Sequence, residues 1–266
     1  MHTVTSRDGT HIAFDQLGAG PALILVPGMF EQRAMDSETA QLAALPLLAE
    51  HFTIIHYDRR GRGGSGDTQP YAVAREIEDI EALIDHGGGA AFLAGISSGA
   101  ALALEAALAL GGKVRKLAMY EPPYNDDAEA RAGWRDFRAQ LVATLAAGRN
   151  AEAVGLFMGL LGVPEEHIAE MHGYPMWPMW EAIAPTIAYD AAAMGEEAAV
   201  PAERAAGLTI PALVMDGGAT PYPFMHSTAL ALAHAMPHGQ HRTLAGQTHE
   251  VAAAALAPVL IEFFTS

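Results

Sequence analysis

Short, nearly continuous apolar runs recur along this chain: "ALILV" (22–26), "FTIIHY" (52–57), "AAFLA" (90–94), "VRKLAMY" (114–120) and "PALVM" (211–215). A strand that is apolar at every position has no face to offer water, so such runs suit a parallel sheet covered on both sides. Helical patterns fall between them, at Glu38 to Glu50, Ala74 to His86, Gly99 to Leu110 and His226 to Ala235. The alternation predicts an α/β fold with a mostly parallel, doubly wound sheet. Ahead of the runs, "HTVTS" and "HIAFDQL" alternate polar and apolar residues around Asp8-Gly9, a two-residue hairpin signal, so the sheet is entered through an antiparallel pair.

One interval breaks the pattern. From Pro122 to about Leu208 no strand is evident, while Trp134, Phe137, Leu141 and Leu145 share one helical face, as do Val154, Phe157, Met158 and Leu161. Pro175, Pro178 and Pro185 each end or kink a helix there. The expected organisation is one core domain, 1–121 and 209–266, with a helical lid subdomain, 122–208, inserted after the sixth strand. A length of 266 residues with 51% hydrophobic content supports a single large core.

Lys and Arg total 15 against 31 Asp and Glu, a formal net charge of −16, which opposes nucleic acid and anionic membrane surfaces as partners. There is no cysteine, which removes disulfides, thiolate metal sites and a Cys nucleophile. No secretory signal and no apolar run of membrane-spanning length is visible, so a cytoplasmic protein is the expectation. The expected partner is a small-molecule substrate, with a homodimer left open at the level of assembly.

"GISSG" (95–99) follows an apolar run and opens a helix, and it fits G-x-S-x-G with Ser97 at the centre. A serine on a tight strand-to-helix turn has its oxygen pushed out of the sheet edge, and the flanking glycines are needed where neighbouring backbone leaves no room for a Cβ. Ser97 is therefore the candidate nucleophile. The Ser98 backbone N–H, in the helix's first turn, is placed to donate to an oxyanion.

The hairpin entry, "VPGMF" (26–30), "YDRRGRGGSG" (57–66), the "GISSG" elbow and "GQTHE" (246–250) occur in order along nearly the whole chain. In this the sequence resembles the α/β-hydrolase superfamily. The resemblance implies that His249, in a Gly-x-x-His loop after the last strand, is the general base. It also implies that the Met29 N–H, following Gly28, is the second oxyanion donor, although Pro27 stands where relatives usually have His. The acid departs from the common pattern. Aligning "VMDGGAT" puts Thr220 where Asp is expected, and some superfamily members carry the carboxylate at the end of the sixth strand instead, where this chain has Glu121. Asp216 competes for the role, and the absence of a working acid is a third alternative; Asp126 and Asp127 look like a helix N-cap. Arg59, Arg60 and Arg62 are expected to organise the loop after the fourth strand rather than to bind an anion.

His234, His238 and His241 raise a metal reading, since the first two are four apart, but Pro237 interrupts the helix that would align them and no H-E-x-x-H occurs. No metal and no cofactor are expected. The inserted segment is rich in adaptable apolar side chains, with Met158, Met171, Met176, Met179, Met194, Trp177 and Trp180, and has no basic cluster for an anionic substrate. The expected function is hydrolysis of a neutral, hydrophobic carboxylic ester or lactone, small to medium in size, through an acyl-enzyme. The alternatives are a ligand-binding or non-hydrolytic biosynthetic protein on the same fold, or the same triad used for carbon–carbon bond hydrolysis or perhydrolysis. Epoxide hydrolase and dehalogenase chemistry call for Asp at the elbow, which Ser97 speaks against.

Overall fold

The computed structural model describes residues 1–34 and 40–266. The chain begins with β1 (His2–Thr5), β2 (His11–Leu17) and β3 (Ala22–Val26), followed by α1 (Ala40–Leu48) and β4 (Thr53–Tyr57). Next come α2 (Val73–His86), β5 (Ala91–Ile96), α3 (Ser98–Leu110) and β6 (Val114–Tyr120). Six helices then run without an intervening strand: α4 (Ala128–Ala146), α5 (Asn150–Leu160), α6 (Glu165–Met171), α7 (Trp177–Ile183), α8 (Ile187–Ala193) and α9 (Ala202–Ala205). The core resumes with β7 (Ala212–Gly217), α10 (Phe224–Ala235), β8 (Gly239–Leu244) and α11 (Ala253–Thr265). The expected start of the first helix at Glu38 lies outside the described residues. Among the described residues no helix is long and apolar enough to cross a membrane.

The strands form one eight-stranded sheet in the order β1-β2-β4-β3-β5-β6-β7-β8. β1 and β2 pair antiparallel, β2 joins β4 antiparallel, and every later pairing is parallel. The apolar runs are explained by packing on both faces. In β3, Ile24 and Val26 enter one core cluster with side chains of α2, α3 and α10, whereas Leu23 and Leu25 enter another with α1 and α11. β5, β6 and β7 repeat this division, with Leu93, Met119 and Val214 on the first face and Phe92, Tyr120 and Met215 on the second. Fully burying each such side chain contributes about 1.5–3 kcal/mol, so a slip of one residue would exchange two filled faces.

Two local expectations are corrected. The entry hairpin does not turn in two residues: Thr5 pairs with His11, and residues 6–10 make the connection. Ser6 N–H donates to the Thr10 carbonyl at 2.8 Å, Gly9 takes φ +88°, and the Asp8 carboxylate accepts the Thr10 N–H at 3.0 Å, so the side chain of Asp8 supports a wider loop than Asp-Gly alone suggests. Pro178 begins a helix rather than ending one, in a first turn where its missing N–H has no partner to lose, whereas α7 does stop at Ile183, just ahead of Pro185, which sits in a short 3₁₀ turn.

The helices between β6 and β7 build their own apolar cluster from Phe137, Leu141, Val154, Met158, Trp177, Ile183 and Ile187, and Phe30 from the loop after β3 joins it. Leu161 falls outside this cluster and is exposed. The C-terminal ends of β3, β5, β6, β7 and β8 therefore converge on one edge of the sheet, beside the helical insertion.

Candidate active site

The elbow at the end of β5 is strained in the way its sequence demands. Ser97 sits at φ +55°, ψ −132°, a region that costs a non-glycine residue about 1–3 kcal/mol. Its surroundings hold it there: Ser97 N–H donates to the Tyr120 carbonyl at 3.0 Å, and its own carbonyl accepts the Ala100 N–H at 2.9 Å. A Cβ at Gly95 would overlap the backbone of Gly99, and one at Gly99 would overlap the backbone of Val26 and Pro27. The two glycines are thus a packing requirement, because β3, β5 and α3 meet backbone to backbone.

Glu121, the first residue after β6, is fully buried at φ +45°. Its N–H donates to the Met215 carbonyl at 2.8 Å. Its carboxylate reaches two elements at once: Oε1 accepts the Gly217 N–H at 2.9 Å, and Oε2 lies 2.7 Å from Nδ1 of His249. Thr220, at the position where Asp was expected from the resemblance, donates its hydroxyl to Glu121 Oε2 at 3.3 Å. A carboxylate on Nδ1 selects the imidazole tautomer with its proton there and leaves Nε2 with the lone pair. The His249 loop is tied down by the Tyr120 hydroxyl, which donates to the Thr248 carbonyl at 2.5 Å. Ser97 Oγ and His249 are not hydrogen-bonded to each other in this arrangement, and such contacts are commonly loose before substrate binds.

Asp216 stands apart. Its buried carboxylate is occupied by His226, His241 and Thr243 and makes no contact with His249. Asp127 caps α4, accepting the N–H groups of Glu129 and Ala130, each at 3.0 Å.

The loop after β3 faces the elbow. The Gly28 N–H donates to Glu31 Oε2 at 2.5 Å, and the Gly28 carbonyl accepts from Arg62 Nη1 at 2.6 Å. With the Gly28 peptide held at both ends, the next N–H, that of Met29, has no hydrogen-bond partner among the described residues, and neither has that of Ser98. Glu31 was not singled out from sequence. Burial pushes its carboxyl up, and the Gly28 N–H, Arg62 and His249 offset this only in part. Its one legible signal was an acid directly after the apolar "VPGMF".

Arg59, Arg60 and Arg62 are all buried and paired. Arg59 holds Glu76 through two bonds of 2.7 Å, and Arg60 holds Asp79 at 2.7 and 2.8 Å and Asp8 at 2.9 Å. Asp190, on α8 of the insertion, bridges Arg59 and Arg62. Burial alone would raise the Asp190 carboxyl, but the two guanidinium groups override it and hold it below the usual carboxylate range. Arg62 also donates to Thr186 at 3.0 Å, so the insertion, the arginine loop and the Gly28 peptide form one connected polar unit.

A family model described as alpha/beta hydrolase family matches residues 23–259. The chain belongs to the alpha/beta hydrolase family. This family member is similar along its whole length to an alpha/beta hydrolase from Sphaerobacter thermophilus, with 48% identity and a TM-score of 0.85 over 99% of this chain and 100% of that one. A hydrolase from Pseudomonas aeruginosa shares the fold at 22% identity, TM-score 0.72, over 100% of this chain and 98% of that one. The likeness to the probable oxidoreductase EphD of Mycobacterium tuberculosis is local: 38% identity over 86 residues, which is 30% of this alpha/beta hydrolase and only 14% of the mycobacterial protein.

Proposed function

We propose that this alpha/beta hydrolase is a serine hydrolase that cleaves a neutral, hydrophobic carboxylic ester or lactone, small to medium in size, through an acyl-enzyme. The observation that carries the proposal is the 2.7 Å contact between Glu121 Oε2 and His249 Nδ1, at the same sheet edge where the strained elbow raises Ser97. In the reaction, Ser97 Oγ attacks the carbonyl carbon while His249 Nε2 takes its proton, and Glu121 stabilises the imidazolium. The Met29 and Ser98 N–H groups receive the charge that develops on the carbonyl oxygen. His249 returns the proton to the leaving alcohol, and water then repeats the sequence on the acyl-enzyme. The chemistry needs no cofactor.

The substrate class is supported by what surrounds the oxyanion loop. Phe30 packs against Phe157 and Trp180 of the insertion, with ring centroids 5.4 and 5.7 Å apart, and Met29 borders the same apolar cluster. On this account the insertion acts as a lid whose inner surface favours apolar acyl groups. The Glu121 carboxylate opposes a substrate that carries its own carboxylate. The test is a panel of neutral esters and lactones of graded acyl length, with matched anionic esters, on the wild type and on Ser97→Ala. Turnover of neutral members, weaker turnover of anionic ones and none by Ser97→Ala is the expected result. A folded wild type that turns over no member, or a Ser97→Ala variant as active as wild type, contradicts the proposal.

A further inference from the structure

The end of β7 carries a carboxylate that the proposed reaction does not use. Asp216 is buried, and each of its oxygens meets an imidazole from a different element. Oδ2 lies 3.0 Å from Nδ1 of His226 on α10, and Oδ1 lies 2.6 Å from Nε2 of His241 on β8. The Thr243 hydroxyl donates to Oδ1 at 3.0 Å. The two rings stand edge to face with centroids 5.4 Å apart. One donor atom from each of the three residues lies within 4.8 Å of the other two.

We propose that Asp216, His226 and His241 bind one divalent transition-metal ion of the zinc type, at a site separate from Ser97. Two imidazole nitrogens and a carboxylate oxygen are donors that suit zinc, cobalt, nickel or copper, whereas magnesium and calcium take oxygen ligands. Bonds of about 2.0–2.2 Å to a tetrahedral ion place donor atoms about 3.3 Å apart. The Asp216–His226 and Asp216–His241 separations of 3.0 and 2.6 Å fall short of that by about 0.3 and about 0.7 Å. His226, with its side chain 52% exposed near the start of α10, has room for the smaller adjustment, and the larger one falls to His241, 20% exposed on the edge strand β8. The ion takes the place of the hydrogen bonds between carboxylate and rings: one oxygen–metal and two nitrogen–metal bonds form, and each ring gives up the proton of its coordinating nitrogen to water and takes one up on its other nitrogen, so both imidazoles bind as neutral ligands. Thr243 fixes the carboxylate from behind, and the exposed side of His226 leaves a coordination position for water.

No local spacing could have shown this site, because its residues come from β7, α10 and β8. Of the three histidines singled out in the sequence, His241 belongs to it, and His234 and His238 do not. Gly217, which follows Asp216 on β7, donates its N–H to Glu121, so an ion here would stiffen the strand ends that position the acid without entering the reaction.

The test uses the full chain stripped with EDTA and titrated calorimetrically with Zn²⁺, with Co²⁺ absorption as a probe of coordination. One ion per chain, binding at micromolar affinity or tighter, is expected. Binding should weaken by more than about 100-fold in His241→Ala and in His226→Ala, and stay unchanged in the double variant His234→Ala/His238→Ala. Zn²⁺ should raise the melting temperature of the wild type but not of His226→Ala. If His241→Ala fails to fold, the half-exposed His226 variant still decides the matter. No stoichiometric binding by the wild type, unchanged binding by His226→Ala, or loss of binding in the His234/His238 variant overturns the proposal.

Discussion

Two carboxylates sit at the ends of neighbouring strands, Glu121 after β6 and Asp216 in β7, and their contacts separate their tasks. Glu121 reaches His249 because its backbone turns to φ +45° at the strand end, where the Met215 carbonyl and the Gly217 N–H hold it in place. Asp216 is directed to His226 and His241 instead. Sequence alone kept both in contention, because a strand end predicts where a carboxylate is but not which neighbour its side chain meets. Thr220 illustrates the same limit: it cannot replace the missing Asp, yet its hydroxyl supports the acid that does face the histidine. Glu121→Gln keeps the shape but removes the charge that stabilises the imidazolium, and should lower kcat by about 10⁴-fold, whereas Asp216→Asn should lower it by less than about tenfold. Steady-state turnover of one neutral ester by both variants checks this. Equal losses, or the reverse order, would move the acid elsewhere.

At the scale of elements, the loop after β4 joins the sheet to the insertion. Its motif indicated a structural role for Arg59, Arg60 and Arg62, and the three buried ion-paired guanidinium groups bear that out. What the motif could not show was the partner supplied from far along the chain, Asp190, a lone acid in the otherwise apolar "IAYDAAA" of α8. An acid between apolar residues on a short helix looks like a solvated position until the helix is docked. Asp190→Asn would leave Arg59 with Glu76 and Arg62 with neutral partners only. Stranding a buried charge in this way costs about 3–5 kcal/mol, and urea unfolding should show a loss of that size. Because Arg62 also holds the Gly28 carbonyl, the variant should lose turnover as well as stability. A fully stable and fully active Asp190→Asn protein would mean that the insertion is held by its apolar contacts alone.

Over the whole molecule, the sheet was legible where burial on both faces forced nearly unbroken apolar runs, as in "ALILV" and "AAFLA". It was less legible where one face stays open: β8, "GQHRTL", is not among the apolar runs, because an edge strand of mixed burial lacks the continuous apolar signal. The last helix, α11, was missed because Pro258 interrupts its pattern, although Leu256, Leu260 and Phe264 pack it against the sheet. The proposed nucleophile and base, Ser97 and His249, lie in local motifs, whereas Glu31 and the Asp216 cluster depend on contacts between distant segments. One consequence of the packed sheet is acid sensitivity. Burial depresses the His56 imidazole on β4 to a pKa of about 4, with Asp58 opposing the shift and Arg33 reinforcing it. The unfolded chain takes up this proton below about pH 6.5 and the folded chain does not, so stability is lost as pH falls from 6.5 towards 4, by about 3 kcal/mol in all. His56→Gln should flatten that part of the stability–pH curve, and an unchanged slope would assign the acid sensitivity to other groups. The central claim, that Ser97 is a nucleophile activated by His249 and Glu121, is tested most directly by intact-mass and peptide analysis after exposure to a fluorophosphonate. The account predicts one adduct per chain, on Ser97, formed slowly in Glu121→Gln and not at all in Ser97→Ala; a folded wild type that forms no adduct, or one that carries it on another residue, would contradict it.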